Sequence, residues 1–272
     1  MTGGTALGRW LLRGAARAGR GPEAAAPGAG AGGGAPLYPT HQRLSRLQKA
    51  AVTAAAAAGA VLMPQRADLV GALGETTGGP ALRRMRDRMR ATESGRRVLV
   101  ERPRVTAAAV GRAWDLPPHT FGGAYARFMG ARDFSPDDRP PVRFVDDEEL
   151  AYVALRARET HDFWHVLFGC NTTILGELAL KSVEFVQTGL PMCALAVAGA
   201  QFRLNRHQRN LLWTTYVPWS VHAGARSADL VSLYYEEHLE ADLEDLRRRW
   251  RITPAPKPPG KAKAQAAAAT AV

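Results

Sequence analysis

Apolar residues recur at intervals of three and four through most of residues 37–252, and this spacing is the strongest constraint on the fold. It places apolar side chains on one face of an α-helix. Gly, Pro, Ser, Thr or Asn separates the periodic stretches, and strand-like runs such as Val142–Val145 are isolated. Helices are expected at Leu44–Leu62, Ala81–Arg90, Asp146–Phe168, Thr172–Gln187, Asn205–His222 and Ser227–Trp250. The sequence therefore predicts an all-α protein with a single multi-helix domain.

The two ends of the chain have compositions that do not favour a folded core. Residues 1–36 contain four arginines and one acidic residue, and end in a Gly/Ala/Pro run. Such arginine-rich, acid-poor starts are typical of mitochondrial transit peptides, and a disordered Gly/Ala-rich terminus is the alternative. Residues 253–272 are rich in Pro, Lys and Ala, which predicts a disordered tail. The folded domain is therefore expected over residues 37–252, between two flexible segments.

Charge and cysteine content exclude several classes of protein. The chain has a formal net charge of +11, yet residues 111–200 contain twelve acidic residues against eight Lys and Arg, which favours a cation site there. The sequence has no zinc-finger spacing and no basic stripe interleaved with aromatics, so nucleic acid is not an expected partner. Two cysteines are too few for a disulfide framework. No segment of the sequence offers the roughly 20 apolar residues that a membrane span needs.

A compact group of metal-ligand residue types lies on the predicted helix Asp146–Phe168. His161 and His165 are four residues apart and therefore project from one helical face, with Asp162 on its flank. Glu177 lies on the next predicted helix, where an antiparallel return would bring its carboxylate to the same cation. Inward-facing imidazoles and carboxylates need a partner, because an unpaired buried carboxylate costs several kcal/mol. The pattern H-D-x-x-H-x11-E therefore predicts a divalent-metal site.

Each of these residues also has a structural interpretation. A lone inward histidine is usually a hydrogen-bonded core residue. Asp162 could pair with Arg158, and Glu177 with Lys181, since both pairs are four residues apart on a helix. The sequence leaves these alternatives open and identifies no catalytic residue beyond the metal ligands.

The stretch His161–Glu177 occurs together with four other stretches that resemble the mitochondrial coenzyme Q biosynthesis protein 4 family. The other stretches are Leu73–Gly78 (LGETTG), Phe144–Val153 (FVDDEELAYV), Gln187–Cys193 (QTGLPMC) and Tyr234–Glu236 (YYE). The resemblance covers about residues 37–252 in the same order, and the joint occurrence is more specific than any one stretch.

The resemblance implies metal-dependent removal of the C1 carboxylate from 4-hydroxy-3-methoxy-5-polyprenylbenzoate in ubiquinone biosynthesis. The product would be the 2-methoxy-6-polyprenylphenol or, if the reaction is oxidative, a compound hydroxylated at C1. The resemblance also implies that His161, Asp162, His165 and Glu177 hold the metal, with zinc (Zn2+) as the usual assignment. It places the protein peripherally on the matrix side of the mitochondrial inner membrane. The expected partners are other coenzyme Q biosynthesis proteins in a multi-subunit complex and the polyprenylated aromatic substrate, with a homodimer as an open alternative.

Two other functions fit parts of the same pattern. A non-catalytic scaffold could bind the polyprenyl lipid, carry a structural metal and organise the complex. A His-Asp pair also occurs in metal-dependent phosphohydrolases, but this sequence has no second, separated His-Asp pair. Because zinc is redox-inert, an oxidative reaction would require another oxidant or another metal.

Overall fold

The structure, a computed structural model, describes residues 35–62 and 66–257. Within these residues the regular secondary structure is helical, and the β-type pairing is limited to an isolated bridge between Thr120 and Asp242. The prediction of an all-α protein is confirmed. Residues 1–34 of the predicted transit peptide and linker, and residues 258–272 of the predicted tail, lie outside the described residues, so both predictions stay predictions.

The first half of the domain consists of an N-terminal segment that is tied to residues 142–146, followed by a series of helices. Tyr38 Oη donates to the carbonyl oxygen of Val145 at 2.9 Å, and Thr40 Oγ1 donates to that of Val142 at 2.6 Å. These bonds attach the chain to the domain from Tyr38 onward. The helices are α1 (Arg46–Leu62), α2 (Ala67–Thr77), α3 (Gly79–Ala91), α4 (Glu93–Glu101), α5 (Ala107–Val110) and α6 (Phe121–Gly130).

The second half contains the helices that carry the candidate ligands. They are α7 (Glu148–Glu159), α8 (His161–Phe168), α9 (Ile174–Thr188), α10 (Pro191–Ala200), α11 (Arg206–Leu211), α12 (Val217–Arg226) and α13 (Leu243–Arg249). A π-helical turn at Leu212–Tyr216 joins α11 to α12, and 3-10 turns at Leu230–Ser232 and Tyr235–His238 precede α13. No helix in the described part of the chain combines the length and apolar character needed to cross a membrane.

The predicted helix Asp146–Phe168 is two helices, α7 and α8, that meet at Thr160. Helix α7 begins later than predicted, because Asp147 is its N-cap and Asp147 Oδ1 accepts from the backbone N–H of Leu150 at 2.9 Å. Asp146, the first residue of the predicted helix, places its Oδ1 3.1 Å from His41 Nε2 instead. The histidines stay on one face because both lie within α8.

The prediction of a continuous helix over Ser227–Trp250 is wrong. The Tyr235 side chain is fully buried, its Oη donates to the carbonyl oxygen of Leu230 at 2.8 Å, and Trp164 Nε1 donates to that Oη at 3.0 Å. Packing of this side chain in the core overrides the helical spacing of the segment. A new helix, α13, begins only where Asp242 Oδ1 accepts from the backbone N–H groups of Glu244 and Asp245.

Helix α8 is the centre of the core, since every one of its residues is buried. Arg247 donates to the carbonyl oxygens of Leu167 and Val166, both at 2.8 Å, and so satisfies the free carbonyls at the C-terminal end of α8. The backbone N–H of Ala255 donates to the carbonyl oxygen of Phe168 at 2.7 Å, so contacts with the core continue past Ile252 into the predicted tail. These bonds fix the helix that presents the two histidines.

Candidate metal centre

A tight reversal between α8 and α9 brings the two histidines to Glu177. Gly169 ends α8 in the left-handed conformation with a φ of 66°, which glycine adopts without steric cost. Thr173 caps α9 by accepting from the backbone N–H of Gly176 at 3.2 Å. Glu177 therefore lies in the first turn of α9 and faces α8, as the antiparallel return requires.

The ligand atoms of His161, His165 and Glu177 lie within 4.8 Å of one another. Nε2 of His165 is 3.1 Å from Glu177 Oε1 and 3.1 Å from Nε2 of His161, and Nε2 of His161 is 3.7 Å from Glu177 Oε2. Ligand atoms that share one zinc ion at about 2.0–2.2 Å are roughly 3.3–3.6 Å apart in tetrahedral geometry, and the separations observed here are close to that spacing. The three side chains therefore match the spacing that a divalent ion requires.

Hydrogen bonds at the opposite ring nitrogens set the tautomers of both histidines. Nδ1 of His165 lies 3.0 Å from the carbonyl oxygen of Cys170, which can only accept, so Nδ1 carries the proton. Nδ1 of His161 donates to the carboxylate of Glu184. In the neutral rings both Nε2 atoms then present lone pairs toward each other and toward Glu177. Three acceptor atoms converge on one point, and a cation there would satisfy all three.

Glu184 is a second buried carboxylate, one that the sequence analysis did not single out. Besides His161 it binds Lys181 Nζ at 2.6 Å, and the Cys193 thiol lies 3.4 Å from Oε2. Burial raises the pKa of Glu184, but Lys181 and His161 lower it by more, so the carboxyl group is ionised. Burial and Lys181 lower the pKa of His161, whereas Glu184 and Glu177 raise it to a net value above the ordinary one.

The site is closed on the histidine side and open at Glu177. The His165 side chain is 1% exposed, whereas that of Glu177 is 35% exposed. Burial raises the pKa of Glu177, and the two histidines lower it well below its usual range, so this carboxylate is charged. A partly open cation site of this kind leaves a coordination position for water or substrate.

Asp162 is not in the group that the structure brings together. Its Oδ2 accepts from Arg139 Nη2, and the structural alternative of a pair with Arg158 does not form, since Arg158 donates to Glu75 Oε1 at 2.7 Å. Burial raises the pKa of Asp162, but the charge of Arg139 outweighs it and leaves the net pKa lowered. A role for Asp162 as fourth ligand stays a prediction.

The structural alternative for Glu177 also fails to form, because Lys181 binds Glu184 instead. The sequence does not mark Glu184 as a site residue, because many surface ion pairs have the same spacing of three residues that separates Lys181 from Glu184. One signal could have found it. Glu184 is seven residues after Glu177, so two helical turns place both carboxylates on the same face of α9.

Comparison with known proteins identifies the family. The model of the coenzyme Q (ubiquinone) biosynthesis protein Coq4 family matches residues 38–256. The ubiquinone biosynthesis protein COQ4 homolog, mitochondrial, of Bos taurus is 44% identical over 255 residues, which is 90% of this chain and 96% of that protein. The Homo sapiens protein of the same description is 44% identical over 226 residues, 82% of this chain and 85% of its own length.

A solved structure supports the fold. The crystal structure of a Nostoc punctiforme protein aligns with a TM-score of 0.59 and 18% identity, covering 74% of this chain and 97% of that one. At 18% identity the structural likeness supports the fold alone. The family match and the close relatives carry the assignment, and this chain belongs to the Coq4 family of ubiquinone biosynthesis proteins.

Proposed function

We propose that the protein removes the C1 carboxylate of 4-hydroxy-3-methoxy-5-polyprenylbenzoate at a divalent metal held by His161, His165 and Glu177. The observation that carries the proposal is the convergence of two lone-pair nitrogens and one carboxylate at a partly open, otherwise buried site. Membership of the Coq4 family supplies the pathway, ubiquinone biosynthesis. Measurements of turnover and of bound metal test the decarboxylation and the identity of the metal.

The three side chains are a donor set that suits catalytic zinc, and the same set suits iron or manganese. A bound divalent ion would supply Lewis-acid stabilisation of negative charge on the substrate. The protein's own contribution is to fix both imidazoles through Cys170 and Glu184 and to keep Glu177 charged. Zinc is the ion that we expect.

A surface cavity of about 370 Å³ opens beside His165 and has the lining that an aromatic carboxylate requires. The Phe128 ring stacks on the His165 ring at 5.1 Å, and the Arg132 guanidinium carbon lies 4.0 Å from the centre of the Phe128 ring. Arg132 Nε donates to Thr172 Oγ1 at 2.9 Å, which fixes the guanidinium in place. An aromatic face with a fixed cation can orient the ring and attract its carboxylate.

The proposed reaction balances without a redox step when hydrogen replaces the carboxylate. The bond from C1 to the carboxylate breaks, carbon dioxide leaves, and the electron pair takes up one proton at C1. If a hydroxyl group replaces the carboxylate, two electrons must pass to an oxidant such as dioxygen. Zinc cannot accept them, so that product would require a redox-active metal or cofactor.

We also propose a location and partners for the protein. Its curated relatives are named mitochondrial, and a polyprenylated substrate would be embedded in a membrane. A peripheral position on the matrix side of the inner membrane, in a complex with other ubiquinone biosynthesis proteins, fits both. The predicted transit peptide at residues 1–36 would direct import.

Turnover by purified protein tests the proposal. The full chain is analysed for bound metal and incubated with a prenylated 4-hydroxy-3-methoxybenzoate, under air and under nitrogen, and the product mass is measured. Loss of carbon dioxide in both atmospheres indicates the non-oxidative reaction, and a product hydroxylated only under air indicates the oxidative one. Glu177→Gln should abolish metal binding and turnover together, while Glu240→Gln, an exposed control, should not. A protein that binds the substrate and never releases carbon dioxide would be the scaffold instead.

A further inference from the structure

A long stretch of the sequence next to the candidate site lacks acidic residues. Between Glu184 and Asp229 there is no Asp or Glu, and there are four arginines. The stretch includes α10, which has no charged side chain and buries only Cys193 and Val197. Most of the surface of α10 is therefore apolar and exposed to some degree, including Leu195. An exposed apolar surface of this kind usually marks an interaction site.

Two large aromatic side chains stand out from the surface where this apolar helix ends. Phe202, just after α10, is 73% exposed, and Trp213, just after α11, is 47% exposed. Trp213 Nε1 donates to Gln201 Oε1 at 2.8 Å, which brings Trp213 to the residue that precedes Phe202 in the chain. This bond fixes the Trp213 side chain, and both aromatic side chains face water.

Cationic side chains surround the aromatic pair. Arg206, His207, Arg209, Asn210 and Trp213 line a surface cavity of about 720 Å³. The guanidinium carbon of Arg209 lies 5.8 Å from the centre of the Phe202 ring. Nη2 of Arg209 donates to the carbonyl oxygen of Leu204 at 3.3 Å, which holds the guanidinium beside the Phe202 ring.

Three of the five arginines of α3 pair with carboxylates, unlike Arg206 and Arg209. In α3, Arg86 and Arg90 pair with Glu149, and Arg88 pairs with Asp229. Within the described residues neither Arg206 nor Arg209 pairs with a carboxylate. The positive charge of α11 is therefore available to an anion outside the chain.

We infer that the surface formed by Phe202, Arg206, His207, Arg209 and Trp213, here named the α11 surface, docks on an anionic lipid bilayer. Phe202 and Trp213 would enter the interfacial layer, where aromatic side chains are favoured. Arg206 and Arg209 would bind lipid phosphates through their guanidinium groups. An exposed apolar helix joined to a cationic helix favours a bilayer as the partner. Nucleic acid would contact the cationic helix alone and would leave α10 in water.

The α11 surface lies one helix away from the candidate metal centre. The Cys193 thiol of α10 is 3.4 Å from Glu184 Oε2 of α9, and Glu184 in turn binds His161. Docking through this surface would hold the metal centre close to the bilayer in which a polyprenyl chain resides. The inference itself does not depend on the proposed reaction, because vesicle binding is measured without turnover.

Sedimentation of the full chain with vesicles tests the inference. We expect the protein to bind vesicles of phosphatidylcholine mixed with phosphatidylglycerol, to bind phosphatidylcholine vesicles weakly, and to be released by high salt. The double variant Arg206→Gln/Arg209→Gln should bind the anionic vesicles about thirty-fold more weakly, since each charge contributes about a factor of five to the affinity. Phe202→Ser/Trp213→Ser should lose about ten-fold or more.

The matched control is Arg96→Gln/Val100→Ser on α4, where Arg96 is exposed and Val100 is 82% exposed. This control should bind like the wild type. Equal binding of the α11-surface variants and the wild type would overturn the inference. Equal binding of both vesicle types, or retention of single-stranded RNA in place of vesicles, would overturn it as well, and so would full competition by inorganic phosphate.

A second measurement keeps the test independent of any folding defect. Vesicles that contain brominated phosphatidylcholine quench tryptophan fluorescence only when an indole enters the bilayer. We expect quenching for the wild type and its loss in Trp213→Phe, a variant that keeps an apolar ring at an exposed position. Equal quenching in Trp213→Phe would show that a different surface inserts, and the α11 surface would be excluded.

Discussion

Glu184 accepts a hydrogen bond from Nδ1 of His161, while Nε2 of the same imidazole lies 3.7 Å from Glu177 Oε2. The ring is thus held between two carboxylates of α9 that are two helical turns apart. The Glu184 carboxylate fixes the tautomer and the orientation of the ring, and the Glu177 carboxylate lies on the side where a cation would bind. A histidine ligand that donates its other N–H to a carboxylate is a more basic and better-oriented ligand.

This relationship predicts a positioning role for Glu184. Glu184→Gln should weaken metal binding by about ten- to hundred-fold while all three proposed ligands remain. The measurement is zinc affinity by competition with a chelator, with far-UV circular dichroism as the check on folding. Glu101→Gln, at an exposed carboxylate on α4, is the control. An unchanged affinity in Glu184→Gln would mean that the carboxylate has only a structural role.

The pair of Asp162 and Arg139 predicts that Asp162 is dispensable for metal binding. In Asp162→Asn the metal content should stay near that of the wild type, whereas the free energy of unfolding should fall by about 2 kcal/mol, because Arg139 loses its charged partner. Arg139→Gln should have a similar effect, and the double variant should cost less than the sum of the two. Metal analysis and urea denaturation check both parts. Loss of metal in Asp162→Asn alone would instead establish Asp162 as a ligand.

A buried ion pair away from the metal centre gives a prediction about stability. Arg156 is fully buried, and its guanidinium binds both carboxylate oxygens of Glu236, at 2.5 and 2.9 Å. Glu236→Gln leaves this arginine without a counter-charge and should lower the free energy of unfolding by about 3 kcal/mol. The neighbouring Glu237 pairs with Arg97 at the surface, so Glu237→Gln should cost less than about 1 kcal/mol. Urea denaturation of the two variants should separate them clearly, and equal costs would contradict the argument.

The sequence carries much of the information about the fold and the site. Helical spacing and glycine punctuation predicted an all-α protein and the reversal after Phe168, because both depend on local backbone preferences. The grouping of His161, His165 and Glu177 followed from the period of the helix and a short connection. The resemblance to the Coq4 family, named from five stretches, is confirmed by the family match.

The rest depends on contacts between residues distant in the chain. The choice of Arg139 rather than Arg158 as the partner of Asp162 cannot be deduced from spacing, since 23 positions separate Arg139 from Asp162. The break-up of Ser227–Trp250 arises from burial of Tyr235 among aromatic residues of other helices. The pair of Glu177 and Lys181 that helical spacing allows does not form, because Lys181 binds the buried carboxylate of Glu184.

The N-terminal attachment predicts a specific loss of stability at alkaline pH. Tyr38 Oη donates to the carbonyl oxygen of Val145 and also accepts from the backbone N–H of Val145 at 3.3 Å. Burial is the main cause that raises the pKa of Tyr38 to about 12. The hydrogen bond with Val145 lowers this pKa, and the charges of Glu75 and Asp146 raise it by smaller amounts. In the unfolded chain the pKa of tyrosine is about 10.

The folded state therefore holds the phenolic proton more tightly than the unfolded state does. The resulting stability is fully present below about pH 10 and is lost as the pH rises toward 12. Tyr38→Phe lacks this proton, so the free-energy difference between wild type and variant should be constant, at about 1 kcal/mol, up to about pH 10. Above that pH the difference should shrink, because only the wild type must keep Tyr38 protonated to stay folded.

Urea denaturation of both proteins from neutral to alkaline pH measures the difference directly, and the comparison cancels the titration of the other tyrosines. Parallel stability curves up to pH 12 would show that Tyr38 ionises as freely in the folded chain as in the unfolded one.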